Sequence, residues 1–284
     1  MRALSICLAV AMSGLTAGCQ ADDDVTALVS HTDRAGAAKT AVQLVEVAVA
    51  CGASVVADLK LGNDLICSGD ALVVNADNIT IDLNGHALTG SGIGIGITVR
   101  ARQNVTIRGG TIRSFVTGIF VANSSGVLIK GNGFTQNREA VFLNGSSDNV
   151  VMENHAWQNQ LRGIMLRPTL SGVISTRNLI RENILQENRS GILLFGQPGN
   201  IFEENWISQS SFAAVDLTGG GASGNVFTEN VLETSAAGIS FGVGWTGNDF
   251  VQNRLLQNTC AIAGTTTGNT FTENQLIGNT SDSC

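Results

Sequence analysis

From Asn178 onward the chain repeats one short figure, in which asparagines stand five apart and lead into a run that alternates apolar and other residues. Asn178, Asn183 and Asn188 open on Ile192 and Leu194; Asn200 and Asn205 precede Ser210, and Asn225 and Asn230 precede Ser235. Asn248, Asn253 and Asn258, then Asn269, Asn274 and Asn279, repeat the triplet in full. A period of 22 to 24 residues is too short for each unit to bury a core alone, so the units must stack on one another.

Aligned on the central asparagine, the column reads Asn84, Gly110, Asn132, Asn154, Asn183, Asn205, Asn230, Asn253 and Asn274. Three residues earlier every position is apolar, from Ile81, Ile107 and Ile129 to Phe227, Phe250 and Phe271, and two residues later a second apolar column runs from Ile112 and Phe134 to Leu255 and Leu276. A third alternating pair follows in each unit, as in Ile119 and Val121, Ile164 and Leu166, or Val215 and Leu217. Alternation about a fixed bend is the pattern of strands with one buried face. Three short strands per turn, stacked in parallel, predict an all-β solenoid, a parallel β-helix of about nine coils over residues 46–284. Asparagines at the bends are expected to bond from coil to coil, satisfying backbone amides and carbonyls that a corner leaves unpaired.

If the inward positions are core, the residues between them face out. On the third strand these are Thr98, Phe120, Phe142, Met165, Leu193, Asp216 and Ser240, with Arg100, Asn144 and Arg167 alongside. An apolar stripe on an outer face needs an explanation. Phe120, Phe142, Met165, Arg167, Leu193 and Asp216 are therefore the candidate substrate-binding residues, a shallow platform for sugar rings with polar groups at its edge. Between Ile164 and Ile192 the interval grows to 28 residues, which places a projecting loop over 167–173, and a smaller one is expected over 219–224. One residue before the bend, Glu153, Glu182, Glu204, Glu229 and Glu273 form a like-charged row that is either solvated or shares calcium; no other cofactor is expected and no metal ligands are assigned.

The balance of 34 glycines, two prolines and 14% charged residues fits turn-dense β structure, and a formal charge of -7 leaves no basic stripe for nucleic acid. Catalytic residues stay unassigned. Glycoside hydrolysis needs two carboxylates across one site, and the stripe offers only Asp216. The chain has no tyrosine to serve as a base, Arg108 and Lys130 are the nearest thing to a basic pair on adjacent coils, and His155 stands outward near Trp157.

Met1 and Arg2, the apolar run 3–15 and the small residues up to Cys19 predict a signal peptide over 1–18. The end of this run resembles a bacterial lipoprotein lipobox, with Thr16 standing where a branched apolar residue is usual. The resemblance implies lipidation of Cys19, a membrane anchor and, with Gln20 following, an outer-membrane location; plain secretion is the alternative. Residues 19–45 are polar and read as a tether. With Cys7 removed and Cys19 lipidated, four cysteines remain, in one pair at each end of the solenoid. Three connectivities are open, and the clustering favours Cys51 with Cys67 and Cys260 with Cys284.

The segment Cys67-Ser68-Gly69-Asp70, followed by Ile79-Thr80-Ile81-Asp82-Leu83-Asn84-Gly85-His86, resembles the opening of right-handed parallel β-helix repeat proteins of the pectate-lyase-like kind. These include carbohydrate-active enzymes and a periplasmic copper-accessory protein, and the likeness covers about residues 46–284. It implies a right-handed coil and, for His86, a hydrogen-bonded structural place at or near an inward column. A copper role finds no His or Met cluster here. The expected function is an envelope-anchored protein that binds polysaccharide. The alternatives are a lyase or epimerase acting on an acidic glycan and a structural or adhesive surface solenoid.

Overall fold

The computed structural model describes residues 45–284; the leader expected over 1–18, Cys19 and nearly all of the tether lie outside the described residues. Within them every regular element is a short strand, and the strands form three parallel sheets that the chain visits in rotation. The first sheet runs from Glu46–Val47 to Thr270–Thr272, the second from Leu65–Ile66 to Gln275–Ile277, and the third from Ala53–Val55 to Ser281–Ser283. Eleven, ten and eleven strands make a right-handed parallel β-solenoid of about ten turns, one more than the asparagine column counts.

The register follows the apolar columns. On the first sheet Ile81 pairs with Ile107, Ile107 with Ile129, and so on to Phe250 with Phe271. Its last four members, Phe202, Phe227, Phe250 and Phe271, stack face to face at centroid spacings of 4.6, 4.8 and 4.8 Å. That is the separation of neighbouring strands, so each ring sits directly on the ring of the coil below. The second and third sheets carry Ile112, Phe134 and Leu185 and Ile119, Val141 and Ile164 into the same core, all at 1% exposure or less.

The corners account for the asparagines. Between the first and second sheets, Asn154 donates from its side-chain nitrogen to Ile129 O (2.9 Å) and to Asn183 Oδ1 (3.1 Å). Its own Oδ1 accepts from the Asn132 backbone N–H (3.0 Å) and from the Asn132 amide (3.2 Å). All four hydrogen-bonding places of one buried amide are filled, three by the preceding coil and one by the following coil. The row continues through Asn183, Asn205, Asn230, Asn253 and Asn274. A second row, between the second and third sheets, begins Asn137, Asn159, Asn188 and ends Asn258, Asn279, with Ser210 and Ser235 in the two coils between. A third row runs Asn149, Asn178, Asn200, Asn225, Asn248 and Asn269 on the return to the first sheet.

The residue just before each ladder asparagine turns the chain and takes a left-handed conformation. Glu153, Glu182, Glu204, Glu229 and Glu273 all have φ between 53° and 55°. The glutamate row is thus a row of corner residues, with its carboxylates turned to the surface, where Glu153 meets Lys130 at 3.0 Å and Glu273 accepts from Gln252 at 2.7 Å. Among the described residues no group of three or more His, Cys, Asp or Glu side chains comes together.

Two placements differ from the alignment. In the first full coil the corner after Thr80–Asp82 holds four residues before Ala87–Thr89, against two between Thr106–Arg108 and Thr111–Arg113. Asn84 therefore falls out of the ladder, at φ 51°, and its amide bonds Glu46 Oε1 and Leu61 O. The same two extra residues carry His86 away from the inward column. It sits half-buried at the surface with Nδ1 2.9 Å from Asp64 Oδ1. Disulfides join Cys51 to Cys67 at one end and Cys260 to Cys284 at the other, closing the two regions where a stack exposes its edge.

Replacing Asn183 with Ala removes the acceptor of the Asn154 backbone N–H and of one side-chain N–H. At ~1–3 kcal/mol per stranded buried group, the variant is expected to lose about 3 kcal/mol, read as a lower urea midpoint. Glu182→Gly, one residue earlier, is expected to gain about 1 kcal/mol by relieving the left-handed backbone.

Candidate functional site

The third sheet is the only one whose strands are mostly six residues long, and it carries the outward stripe. In Thr117–Ala122 two consecutive residues face the core. Ile119 is fully buried, and a Cβ on Gly118 would lie 2.9 Å from the Phe134 ring and 2.6 Å from Ala140 O. The same place in successive coils is held by Gly96, Gly118, Ala140, Gly163, Gly191, Ala214, Gly238 and Ala261, all glycine or alanine. A larger side chain there would meet the carbonyl of the next coil, as Gly163 would meet Gly191 O at 2.7 Å. Two inward residues in a row break the alternation and bend the strand, so the outward residues on either side of the bend lean toward each other. The outer face is concave.

The bend is why the hydroxyl of Ser190, at the start of one strand, reaches Asp216 Oδ2 in the middle of the next, at 3.4 Å. It produces an open groove of about 650 Å³ on this sheet, with Phe142, Met165 and Leu193 on the floor. The register places these side by side on consecutive coils, Phe142 against Met165, Met165 against Leu193 and Leu193 against Asp216. Met165 and Leu193 point outward and are nonetheless only 7% and 3% exposed, because the walls rise on both sides of them.

Those walls are arginine-rich. Arg138 and Arg189 immediately precede the strands Glu139–Asn144 and Ser190–Phe195, and Arg162 and Arg167 are the two ends of the strand Arg162–Arg167 between them. Arg167 lies over the Phe195 ring at 5.1 Å and Arg189 over Phe212 at 5.6 Å, so the guanidinium groups are held by aromatic faces. Four arginines face two carboxyls, Glu139 and Asp216, a local excess of two positive charges in a chain of net -7. Glu139 Oε1 is 3.3 Å from Arg162 and 3.8 Å from Arg138. Asp216 has no ion pair among the described residues.

Both carboxyls are pushed above the ordinary carboxylate range. Burial is the main cause for each, opposed at Glu139 by Arg138 and Arg162 and at Asp216 by Arg162, the Ser190 hydrogen bond and Arg189. Glu139 is 8% exposed and Asp216 9%. The groove thus combines an apolar floor, fixed cations and two carboxyls that hold protons more tightly than carboxyls in water.

Of the six residues proposed from sequence, the structure gathers Phe142, Met165, Arg167, Leu193 and Asp216 in the groove. Phe120 lies one coil beyond, its ring 5.2 Å from that of Phe142 and under Arg100. Sequence reasoning missed Arg138, Glu139, Arg162 and Arg189, which follow the second ladder and look like turn residues when the strand is taken as straight. The other candidates lie elsewhere. Arg108 pairs with Asp82 and Lys130 with Glu153 on the first sheet, while His155, on the second, lies tilted against Trp157 at 4.5 Å and bonds Gln186 at 3.1 Å. A smaller hollow of about 380 Å³, beside Trp245 and Gly264, has no charged residue in its lining.

The model of the right handed beta helix region matches residues 66–232, more than half of the 284. No curated protein sequence matches the chain. Among solved structures, the A-module of a mannuronan C-5 epimerase from Azotobacter vinelandii superposes with a TM-score of 0.58 at 14% identity, over 81% of this chain and 78% of that one. A mutant tailspike protein of E. coli bacteriophage HK620, in complex with pentasaccharide, gives 0.57 at 10% identity over 78% and 50%. A hyperthermoactive exopolygalacturonase from Thermotoga maritima gives 0.51 at 9% identity over 78% of each chain. At these identities the likeness is one of fold.

The raised Asp216 carboxyl has a consequence for stability. Its folded-state proton affinity exceeds the unfolded one, so the folded state is fully favoured below the unfolded pKa and loses stability as pH rises through the folded one. Asp216→Asn is expected to melt at a higher temperature than wild type at pH 7, with the difference vanishing below about pH 3.9, when melting curves are compared across pH.

Proposed function

We propose that this chain, which belongs to the right handed beta helix region family, binds polysaccharide along the groove of its third sheet. The observation that carries the reading is the groove itself: an apolar floor repeated on successive coils, with a row of three arginines on one side and Arg167 on the other. Sugar rings present an apolar face that lies well on Phe142, Met165 and Leu193, and hydroxyl or carboxylate edges that accept hydrogen bonds from Arg138, Arg162, Arg167 and Arg189. An extended polymer meets the same chemistry at each coil, a match that a compact ligand does not need. The excess of arginine favours an acidic chain.

The relatives support the reading by what their names say of them: one epimerises mannuronan, one holds a pentasaccharide and one is an exopolygalacturonase. We propose further that the protein is exported and held at the cell envelope through lipid on Cys19, on the strength of the apolar run and small residues that precede it. Mass spectrometry of the mature N-terminus should find an acylated Cys19; an unmodified N-terminus at another residue would exclude the anchor.

Retention on immobilised polymer tests the groove. Arg189→Ala is expected to weaken retention of an acidic glycan ~10-fold at low salt, roughly 1.4 kcal/mol, with the difference shrinking as salt screens the charge. Phe142→Ser is expected to abolish retention on any bound glycan while the melting temperature falls little, because the half-buried ring belongs to the outer face and not to the core. Retention that survives Phe142→Ser unchanged would place binding elsewhere.

A further inference from the structure

Asp216 interrupts the stripe to which it belongs. Phe142, Met165 and Leu193 occupy the groove floor on consecutive coils, and the next place in the register is a carboxyl, with Ser240 after it. That carboxyl is 9% exposed. Its Oδ2 lies 3.4 Å from the Ser190 hydroxyl, and no ion pair reaches it among the described residues. A buried group left in this way costs free energy that serine or asparagine in the same place would not. The charged groups that share the groove with it are Arg138, Arg162, Arg167, Arg189 and Glu139. Arg162 and Arg189 act on Asp216 through their charge, while the strands on either side, Ser190–Phe195 and Ala237–Phe241, contain no titratable side chain. Glu139 belongs to a strand three places away in the register and is already engaged by Arg162 at 3.3 Å, with Arg138 at 3.8 Å.

We propose that Asp216 decides which glycan the groove retains: carrying a proton, it donates to a carboxylate of an acidic chain, and ionised, it repels that carboxylate. This rests on the binding reading above. A sugar seated on Leu193 has Asp216 beside it on the next coil and Arg189 on the wall, just before Leu193's own strand. The arginines attract a sugar carboxylate at any pH, because a guanidinium keeps its charge. Whether that carboxylate can also lie against the floor depends on Asp216. Two ionised carboxylates in one recess repel, whereas an acid and a carboxylate share a single proton in a charge-assisted hydrogen bond. Burial already disfavours the ionised form of Asp216 and acts in the same direction. Docking of an acidic sugar therefore draws one proton from solvent onto Asp216. A neutral sugar offers hydroxyls, which donate to the ionised carboxylate as readily as they accept from the acid, so its retention gains nothing from the proton. The groove is thus selective for acidic over neutral chains in acid solution, and the margin narrows as pH rises.

The test compares retention of polygalacturonate and of neutral dextran at about pH 5 and about pH 8 at constant ionic strength, a range in which the polymer's own carboxyls stay ionised. Wild-type protein should hold polygalacturonate at least ~10-fold more tightly at the lower pH and show no such gain on dextran. Asp216→Asn, whose amide donates at every pH, should bind polygalacturonate at the higher pH about as tightly as wild type does at the lower one. Calorimetric titration of the wild type with polygalacturonate, in two buffers of different ionisation enthalpy, should register uptake of about one proton per protein molecule. That measurement needs no variant, so it stands whether or not Asp216→Asn folds. Polygalacturonate binding with neither the gain at acid pH nor the proton uptake would overturn the role of Asp216 and leave the groove reading standing. An undiminished gain in folded Asp216→Asn would move the effect to Glu139 and overturn the assignment. Wild-type protein that retains polygalacturonate at neither pH would overturn this proposal together with the reading of an acidic chain in the groove.

Discussion

A chain that turns sharply three times in every coil must do something with the amides and carbonyls of each corner, and the buried asparagine is the answer on which the rest of this structure depends. An amide side chain has two donors and two acceptor places, and in Asn154 all four are taken, by the coil before and the coil after. Because each ladder asparagine bonds the coils on either side, the ladder also sets the distance and the register between coils. Leucine would fill the same volume and strand the backbone. Ser235 carries one row onward by accepting from the Ser210 backbone N–H and donating its own N–H to Asn258, but the Ser210 hydroxyl has no partner among the described residues and the row is interrupted between Asn188 and Ser210.

The ladder has a structural cost one residue upstream. Non-glycine residues at Glu153, Gln158, Glu182, Glu187 and their counterparts hold positive φ, which L side chains resist. Glutamate and glutamine tolerate the position because their polar ends reach the surface, where Gln158 donates to Glu187 and Gln252 to Glu273. What looks in sequence like a row of repelling charges is a row of corners, partly bridged by amides.

Fixed register is also what makes the groove possible. When strands stack without slippage, any residue type repeated on the outer face becomes a continuous stripe, and Phe142, Met165 and Leu193 form one. The glycine and alanine column then bends each strand, which shelters that stripe and turns Arg138, Arg162 and Arg189 inward over it. Burial follows from curvature, and burial in turn raises Glu139 and Asp216. A surface of net negative charge thereby holds a cationic recess whose carboxyls respond to pH.

The sequence by itself determined the strand columns, their parallel stacking and the outward stripe, because all three depend on a period that any coil displays locally; it favoured the pairing of the terminal cysteines, which the structure then decided. It misplaced Asn84 and His86, since two extra residues in one corner shift a column with no trace in hydrophobic alternation. The left-handed corners were hidden too, because glutamate and glutamine give no sign of positive φ. Only the tertiary structure decided that the stripe is the floor of a groove. Alternation read along a strand assumes the strand is straight, whereas Gly118, Ala140, Gly163 and Gly191 bend it, and residues such as Glu139, Arg162 and Asp216, separated by whole coils in the chain, then line one concave face.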